Sequence, residues 1–240
     1  MRFANRTEAG QLLAEKLGKF KGKDVVVYAL PRGGVVTAVE IARYFSSPLD
    51  LIIARKITHP NNPEYAIAAI AENGHIVGTQ SELNLVDKEW LKEEIDKERQ
   101  EVKRRKQKYL HGKDIHSPEG KIAILVDDGV ATGLTLRVGI LELRHHNPQK
   151  LVVAVPVVSK STFEVLKKEV DEIISLETPS DDEFLGAVGS YYENFDQVED
   201  EEVISILAAH EKWLEKERGQ TVFTVKSGKL GHDVIDYDEW

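Results

Sequence analysis

The sequence predicts an α/β fold: an open, mainly parallel sheet flanked by helices, with a small hood and a C-terminal appendage. Short, nearly all-apolar runs rich in β-branched residues recur at 24–30, 49–53, 121–126, 151–158 and 172–176. These runs lack the apolar/polar alternation of a half-exposed sheet, which marks strands buried on both faces, and segments of helical period separate most of them. The 240 residues, 41% hydrophobic and without cysteine, suffice for a packed core that needs no disulfides.

Thr7 is the expected N-cap of an opening helix, with Glu8 in its first turn and Leu12, Leu13 and Leu17 on one face before Gly18. Asp24 to Leu30 reads as the first strand, ended by Pro31. Val35, Val36, Val39, Ala42 and Phe45 follow at helical spacing, and Leu49 to Ile53 reads as the second strand. Turn formers crowd Thr58 to Tyr65. Residues 86–110 read as one long exposed helix, with Leu91, Ile95, Val102 and Tyr109 on a stripe and Glu93–Lys97 and Glu101–Arg105 as i,i+4 pairs. Further strands at 121–126, 151–158 and 172–176 enclose helices at 134–145 and 162–170, the latter opened by a Ser161/Glu164 capping box. A helix is expected at 200–216. Residues 1–218 form the expected domain, including the long helix and a hood segment at 177–200; Thr221–Val225 and Asp233–Tyr237 alternate as a C-terminal hairpin or tail at 219–240.

No apolar run approaches the roughly 18 residues that span a bilayer, and the N-terminus has no apolar signal region, so a cytoplasmic, membrane-free protein is expected. The net charge of −9 is misleading, because residues 177–202 hold ten acids and no Lys or Arg, and the remainder carries +1. A site for a phosphorylated ligand is therefore not electrostatically disfavoured. Lys103, Arg104, Arg105 and Lys106 form a basic cluster that can contact nucleic acid, but nine basic and seven acidic residues across the helix net only +2, which points to a solvated face. Trp90, Trp213 and Trp240 lack the basic interleaving of a single-strand stacking platform. Arg144, His145 and His146 end a helix where cations complement the dipole.

The most informative stretch is Ile124-Leu125-Val126-Asp127-Asp128-Gly129-Val130-Ala131-Thr132-Gly133-Leu134-Thr135. A buried strand delivers two carboxylates to its C-terminal end, where open α/β sheets bind ligands. The loop's N–H groups and the following helix N-terminus can hold a phosphate, and Thr132 and Thr135 add hydroxyl donors. Asp127 and Asp128 can accept hydrogen bonds from vicinal hydroxyls or hold a metal through water. The plainer alternative is a strand-to-helix turn with acids capping free N–H groups.

This stretch resembles the phosphoribosyl diphosphate (PRPP) signature of type I phosphoribosyltransferases, and in particular a bacterial and archaeal branch with no defined acceptor. The resemblance covers roughly residues 24–176. It implies that Asp127 and Asp128 hold the ribose 2′ and 3′ hydroxyls and Mg²⁺, while Val130, Ala131, Thr132, Gly133, Leu134 and Thr135 wrap the 5′-phosphate. Arg32, Gly33 and Gly34 resemble the family's pyrophosphate loop, with a strained or cis peptide expected between Pro31 and Arg32. Arg55 and Lys56, expected to end the second strand, match cations that contact the departing diphosphate. The implied catalytic residues are Asp127, Asp128 and Arg32.

The activity so implied is Mg²⁺-dependent transfer of phosphoribose from PRPP to an unidentified base or amine, with release of pyrophosphate. A homodimer is implied and a nucleic-acid partner is not. Members that use 6-oxopurines carry a carboxylate where this chain has Ala131, which argues against hypoxanthine or guanine. Within this resemblance Thr58–Tyr65 is a candidate mobile flap, with Glu64 or His59 toward the acceptor, or else a surface loop. Phe184, Tyr191, Tyr192 and Phe195 are candidates for an acceptor-selecting hood, or else pack the 200–216 helix onto the sheet. Two other functions compete: a PRPP- or nucleotide-sensing regulator without turnover, with Lys103–Lys106 as its RNA contact, and a hydrolase with Asp127 as nucleophile.

Overall fold

A computed structural model describes residues 2–71 and 74–227. The chain runs through α1 (Arg6–Lys16), β1 (Val25–Ala29), α2 (Gly33–Phe45), β2 (Leu49–Leu51), β3 (Ala54–His59), β4 (Asn62–Ala71) and β5 (Ile76–Gly78). It continues through α3 (Gln80–Leu83), α4 (Lys88–Leu110), β6 (Ile122–Val126) and α5 (Leu134–His145). It ends with β7 (Lys150–Val157), α6 (Lys160–Leu166), β8 (Glu172–Glu177) and α7 (Asp200–Ser227).

Five strands form a parallel sheet in the order β2-β1-β6-β7-β8. Its strands read as continuous apolar runs because both faces are covered. Val25, Val27, Ala29, Ile122, Ile124 and Val126 face a core shared with α1, α2, α4 and α7. Their neighbours Val26, Tyr28, Ala123 and Leu125 face the opposite core, under α5 and α6. This two-residue alternation explains why no polar position interrupts β1 or β6. The chain reverses its direction of travel across the sheet at β1, so the crevice between the ends of β1 and β6 is the topological switch point.

A second sheet departs from the sequence expectation. The strand expected at 49–53 stops at Leu51, and Arg55 and Lys56 lie instead in β3 of an antiparallel sheet ordered β3-β4-β5. The turn formers at Thr58–Tyr65 build the tip of the β3/β4 hairpin, with an irregular register around Thr58. Ile57, Ile67 and Ile70 pack there against Trp90, Leu91 and Ile95 of α4.

Several local expectations are corrected. Asn5, not Thr7, caps α1, accepting the Glu8 N–H at 3.0 Å, because a residue before the helix can present its side chain to the free donors. Ser159, not Ser161, caps α6, and Ser161 binds Asp181 instead. Lys97 pairs with Glu94 rather than Glu93, whereas Glu101–Arg105 forms at 2.8 Å. α7 continues through Thr221–Val225, against the expectation of a strand: adding residues to an existing helix is easier than founding an isolated two-stranded hairpin. Asp233–Tyr237 lies outside the described residues.

The aromatics of the 178–199 segment do not bind α7 to the sheet. Tyr191 and Tyr192 pack with Phe3, Ala9 and Val157, joined by Phe184 and Phe195. Backbone hydrogen bonds from Phe3 to Tyr191 and from Glu193 to Phe3 fasten this segment to the N-terminus. α7 reaches the core through Val203, Ile204, Ile206 and Leu207. No helix of the described residues is long and apolar enough to cross a membrane.

Candidate functional site

The sheet delivers two loops to one edge. β6 ends in Asp127 and Asp128; β1 ends before Pro31, whose peptide bond to Arg32 is cis. The loops touch. A Cβ added to Gly33 would stand 1.9 Å from Asp128 Oδ2, and one on Gly34 would stand 3.0 Å from Asp127 Cα. Arg32 precedes α2, Gly133 precedes α5, and neither helix start is capped by a side chain, which leaves N–H donors facing the crevice edge.

The Asp128–Thr135 loop is shaped by its neighbours. Gly129 has φ 153°, and a side chain there would collide with Val188. The Val130 N–H donates to the Val157 carbonyl at 2.8 Å, and the Thr162 hydroxyl donates to the Ala131 carbonyl at 2.7 Å. Gly133 turns into α5 with φ 75°. Ala131 and Thr132 are exposed, and Leu134 and Thr135 are half-buried, so this stretch is accessible to a ligand.

The two acids differ in their partners. Asp128 N–H donates to Asp127 Oδ1 at 2.9 Å. Arg6 Nε donates to Asp128 Oδ2 at 2.7 Å, and the Tyr192 hydroxyl donates to the Asp128 carbonyl at 2.6 Å. Arg6 also lies over the Phe195 ring, 3.7 Å from its centre, and donates to the Asp196 carbonyl. Burial holds the Asp127 carboxyl well above its ordinary range, the Asp128 charge adds to the rise, and Lys56 opposes it. Burial also raises the Tyr192 phenol, again with Asp128 contributing.

The cations divide. Arg32 Nη1 reaches Glu199 Oε2 at 3.3 Å and Asp200 Oδ1 at 3.5 Å. Arg55 turns away toward α4, where Glu98 accepts from its Nε at 2.6 Å; the Glu98 side chain is 8% exposed. Neighbouring β3 residues point to opposite faces, so exposed Lys56 is the β3 cation on the side of the acid pair. The structure therefore brings together Asp127, Asp128, Arg32, Gly33, Gly34, the 130–135 loop and Lys56, and commits Arg55 to Glu98. Arg6, Glu199 and Asp200 are not site residues in the sequence reading, and Tyr192, expected there as a hood aromatic, is instead bonded to the Asp128 carbonyl. Only the aromatic pattern around Tyr192 offers a signal, since no local motif places Arg6 against Asp128.

This edge combines free N–H donors, hydroxyls, two carboxylates and cations, the groups that hold a phosphorylated sugar. Comparison with known proteins agrees. The phosphoribosyl transferase domain matches residues 4–193. Two proteins of Mycobacterium tuberculosis, strains CDC 1551 / Oshkosh and H37Rv, both named "putative phosphoribosyl transferase", are 37% identical over 221 residues, covering 89% of this chain and 48% of theirs. The chain thus spans about half the length of the curated relatives it matches. The crystal structure of TT1426 from Thermus thermophilus superposes with a TM-score of 0.71 at 38% identity, covering 86% of this chain and 98% of that one. With a family match across most of its length, placed on the edge just described, this chain belongs to the phosphoribosyl transferase domain family.

Proposed function

We propose that this edge binds PRPP and transfers its phosphoribosyl group to a nitrogenous acceptor, releasing pyrophosphate. The observation that supports the reading is the contact of Gly33 with Asp128 and of Gly34 with Asp127, because loops that close together can serve as the diol and diphosphate sites of one ligand. Asp127 and Asp128 take the ribose hydroxyls; residues 130–135 take the 5′-phosphate; Arg32, the Gly33–Gly34 backbone and Lys56 take the diphosphate. The C1′–O bond breaks with its electron pair leaving on pyrophosphate, and the acceptor nitrogen's lone pair forms the new C1′–N bond. Remote 5′-phosphate binding positions C1′ between donor and acceptor, and the cations stabilise the charge that builds on the leaving oxygen.

Among the described residues no group of three or more His, Cys, Asp or Glu could hold a metal, so a protein-only cage does not fit. Two adjacent carboxylates do fit Mg²⁺ arriving with the diphosphate, since that ion commonly keeps several waters and takes one or two carboxylates beside substrate phosphates. When bound it would neutralise leaving-group charge at Asp127 and Asp128. The test is calorimetry with PRPP and MgCl₂, followed by an amine and base screen for PRPP-dependent pyrophosphate release. The Asp127→Asn/Asp128→Asn double variant is expected to lose PRPP binding while keeping its circular dichroism; unchanged affinity would overturn the assignment.

A further inference from the structure

Arg32 sits in a loop, yet its guanidinium is held from outside that loop. Among the described residues its partners, Glu199 and Asp200 at 3.3 and 3.5 Å, both meet Nη1 and none meets the Nε/Nη2 edge. That edge is the one that meets oxyanions with two parallel bonds. Asp200 is itself fixed more tightly: Lys108 Nζ donates to Oδ2 at 2.7 Å and the Tyr109 hydroxyl to Oδ1 at 2.5 Å. These bonds, Lys108 first and Tyr109 second, hold the Asp200 carboxyl down at about 2, so it stays an anion. Both anchors come from α4, and the supporting helices share one core through Val102, Tyr109 and Val203. A carboxylate so held is a fixed partner for Arg32 Nη1, beside the more exposed Glu199.

We propose that Asp200 is a positioning residue: fixed by Lys108 and Tyr109, it holds Arg32 with its two-nitrogen edge presented to an incoming diphosphate. This rests on the diphosphate role given to Arg32 above. A carboxylate near a diphosphate also repels it, so the two effects have opposite signs and the experiment separates them.

Inorganic pyrophosphate and ribose 5-phosphate are titrated separately, with MgCl₂, into the wild type, Asp200→Asn, Asp200→Glu, Arg32→Ala and the Arg32→Ala/Asp200→Asn pair. Asp200→Asn is expected to weaken pyrophosphate binding about tenfold, the cost of ordering one long side chain on binding. Ribose 5-phosphate affinity should stay within about twofold, Asp200→Glu should recover most of the loss, and the double variant should bind no worse than Arg32→Ala. Tighter or unchanged pyrophosphate binding by Asp200→Asn, with Arg32→Ala weakened, overturns the role of Asp200 alone. Normal binding by Arg32→Ala removes the reading of Arg32 and that of Asp200 with it. Should Asp200→Asn fail to fold, Tyr109→Phe loosens Asp200 without changing any charge: weaker pyrophosphate binding supports the proposal, and unchanged or tighter binding overturns it.

Discussion

Acids meet the Pro31–Gly34 loop at two places, Asp127 and Asp128 at its glycines and Asp200 at Arg32, and Asp127 and Asp200 are in opposite electrostatic states. At the glycines Asp127 and Asp128 lie next to each other, only Asp128 has a close cation, and Asp127 is pushed well above its ordinary range by burial and its neighbour. At the second place Asp200 is surrounded by Lys108, Tyr109 and Arg32 and is held at about 2. A protein optimised for stability alone would satisfy both. Conflict remains where a ligand's hydroxyls and cation are proposed to bind, and satisfaction where a side chain must be held still.

The sharpest way to break this contrast is to fill the gap between the two loops. Gly33→Ala would place a methyl 1.9 Å from Asp128 Oδ2 and 2.9 Å from Arg6 Nε, so Asp128 must swing and its bond to Arg6 must break. The expected result is a stability loss of about 1–3 kcal/mol in denaturant titration, together with loss of PRPP binding. A variant with unaltered midpoint and affinity would mean that the two loops do not share this contact.

The parallel sheet is legible in the sequence because burial on both faces leaves nothing polar in strands such as Ile122–Val126. The small sheet is not. β4 carries Ala66, Ala68, Ala69 and Ala71, which have little intrinsic strand preference, and β3 carries Arg55, Lys56 and His59; packing against α4 decides their conformation. The crevice follows the same division. Asp127 to Thr135 and Arg32 to Gly34 each announce themselves through local spacing, whereas Arg6 reaches Asp128 across 122 positions and Lys108 reaches Asp200 across 92. Such pairs have no local pattern; they exist only once the helices are packed. Arg55 is legible as a cation but not in its direction, which is fixed by the register of β3 against β4.

A second test measures the two electrostatic states as opposite pH slopes. Asp127 has a raised folded pKa, so above the ordinary carboxylate value near 4 the folded state holds a proton that the unfolded state has released. Stability therefore falls as pH rises from about 4 through the folded value, and Asp127→Asn should remove that fall. Asp200 is lowered to about 2, so its contribution is complete above the ordinary range and is lost as pH drops from about 4 towards 2. Asp200→Asn should therefore be most destabilising near neutral pH and converge on the wild type in acid. Denaturant midpoints at stepped pH read both slopes; slopes of the same sign would dissolve the distinction between the two sites.

The smallest effect is expected where charges are satisfied but not buried. Arg104 binds Glu101 through two nitrogens, at 2.7 and 2.9 Å, and that carboxyl is held at about 2, first by this bond. Yet the Arg104 side chain is 58% exposed, and Arg105 still donates to Glu101 at 2.8 Å when Arg104 is gone. Solvent screens the lost attraction, and removing a long ordered side chain returns entropy, so Arg104→Ala should leave the denaturant midpoint within the scatter of repeat titrations. The same pairing withdraws charge from the Lys103–Lys106 run, which argues that α4 presents an ion-paired face rather than a polyanion site. Arg104→Ala should accordingly leave any retention on single-stranded RNA unchanged at about 0.15 M salt, a concentration at which unpaired cation clusters still bind phosphates. A drop in RNA affinity with a steeper salt dependence in the wild type would show that these cations are free to act, and the division between held and available charge would then have to be drawn elsewhere on the molecule.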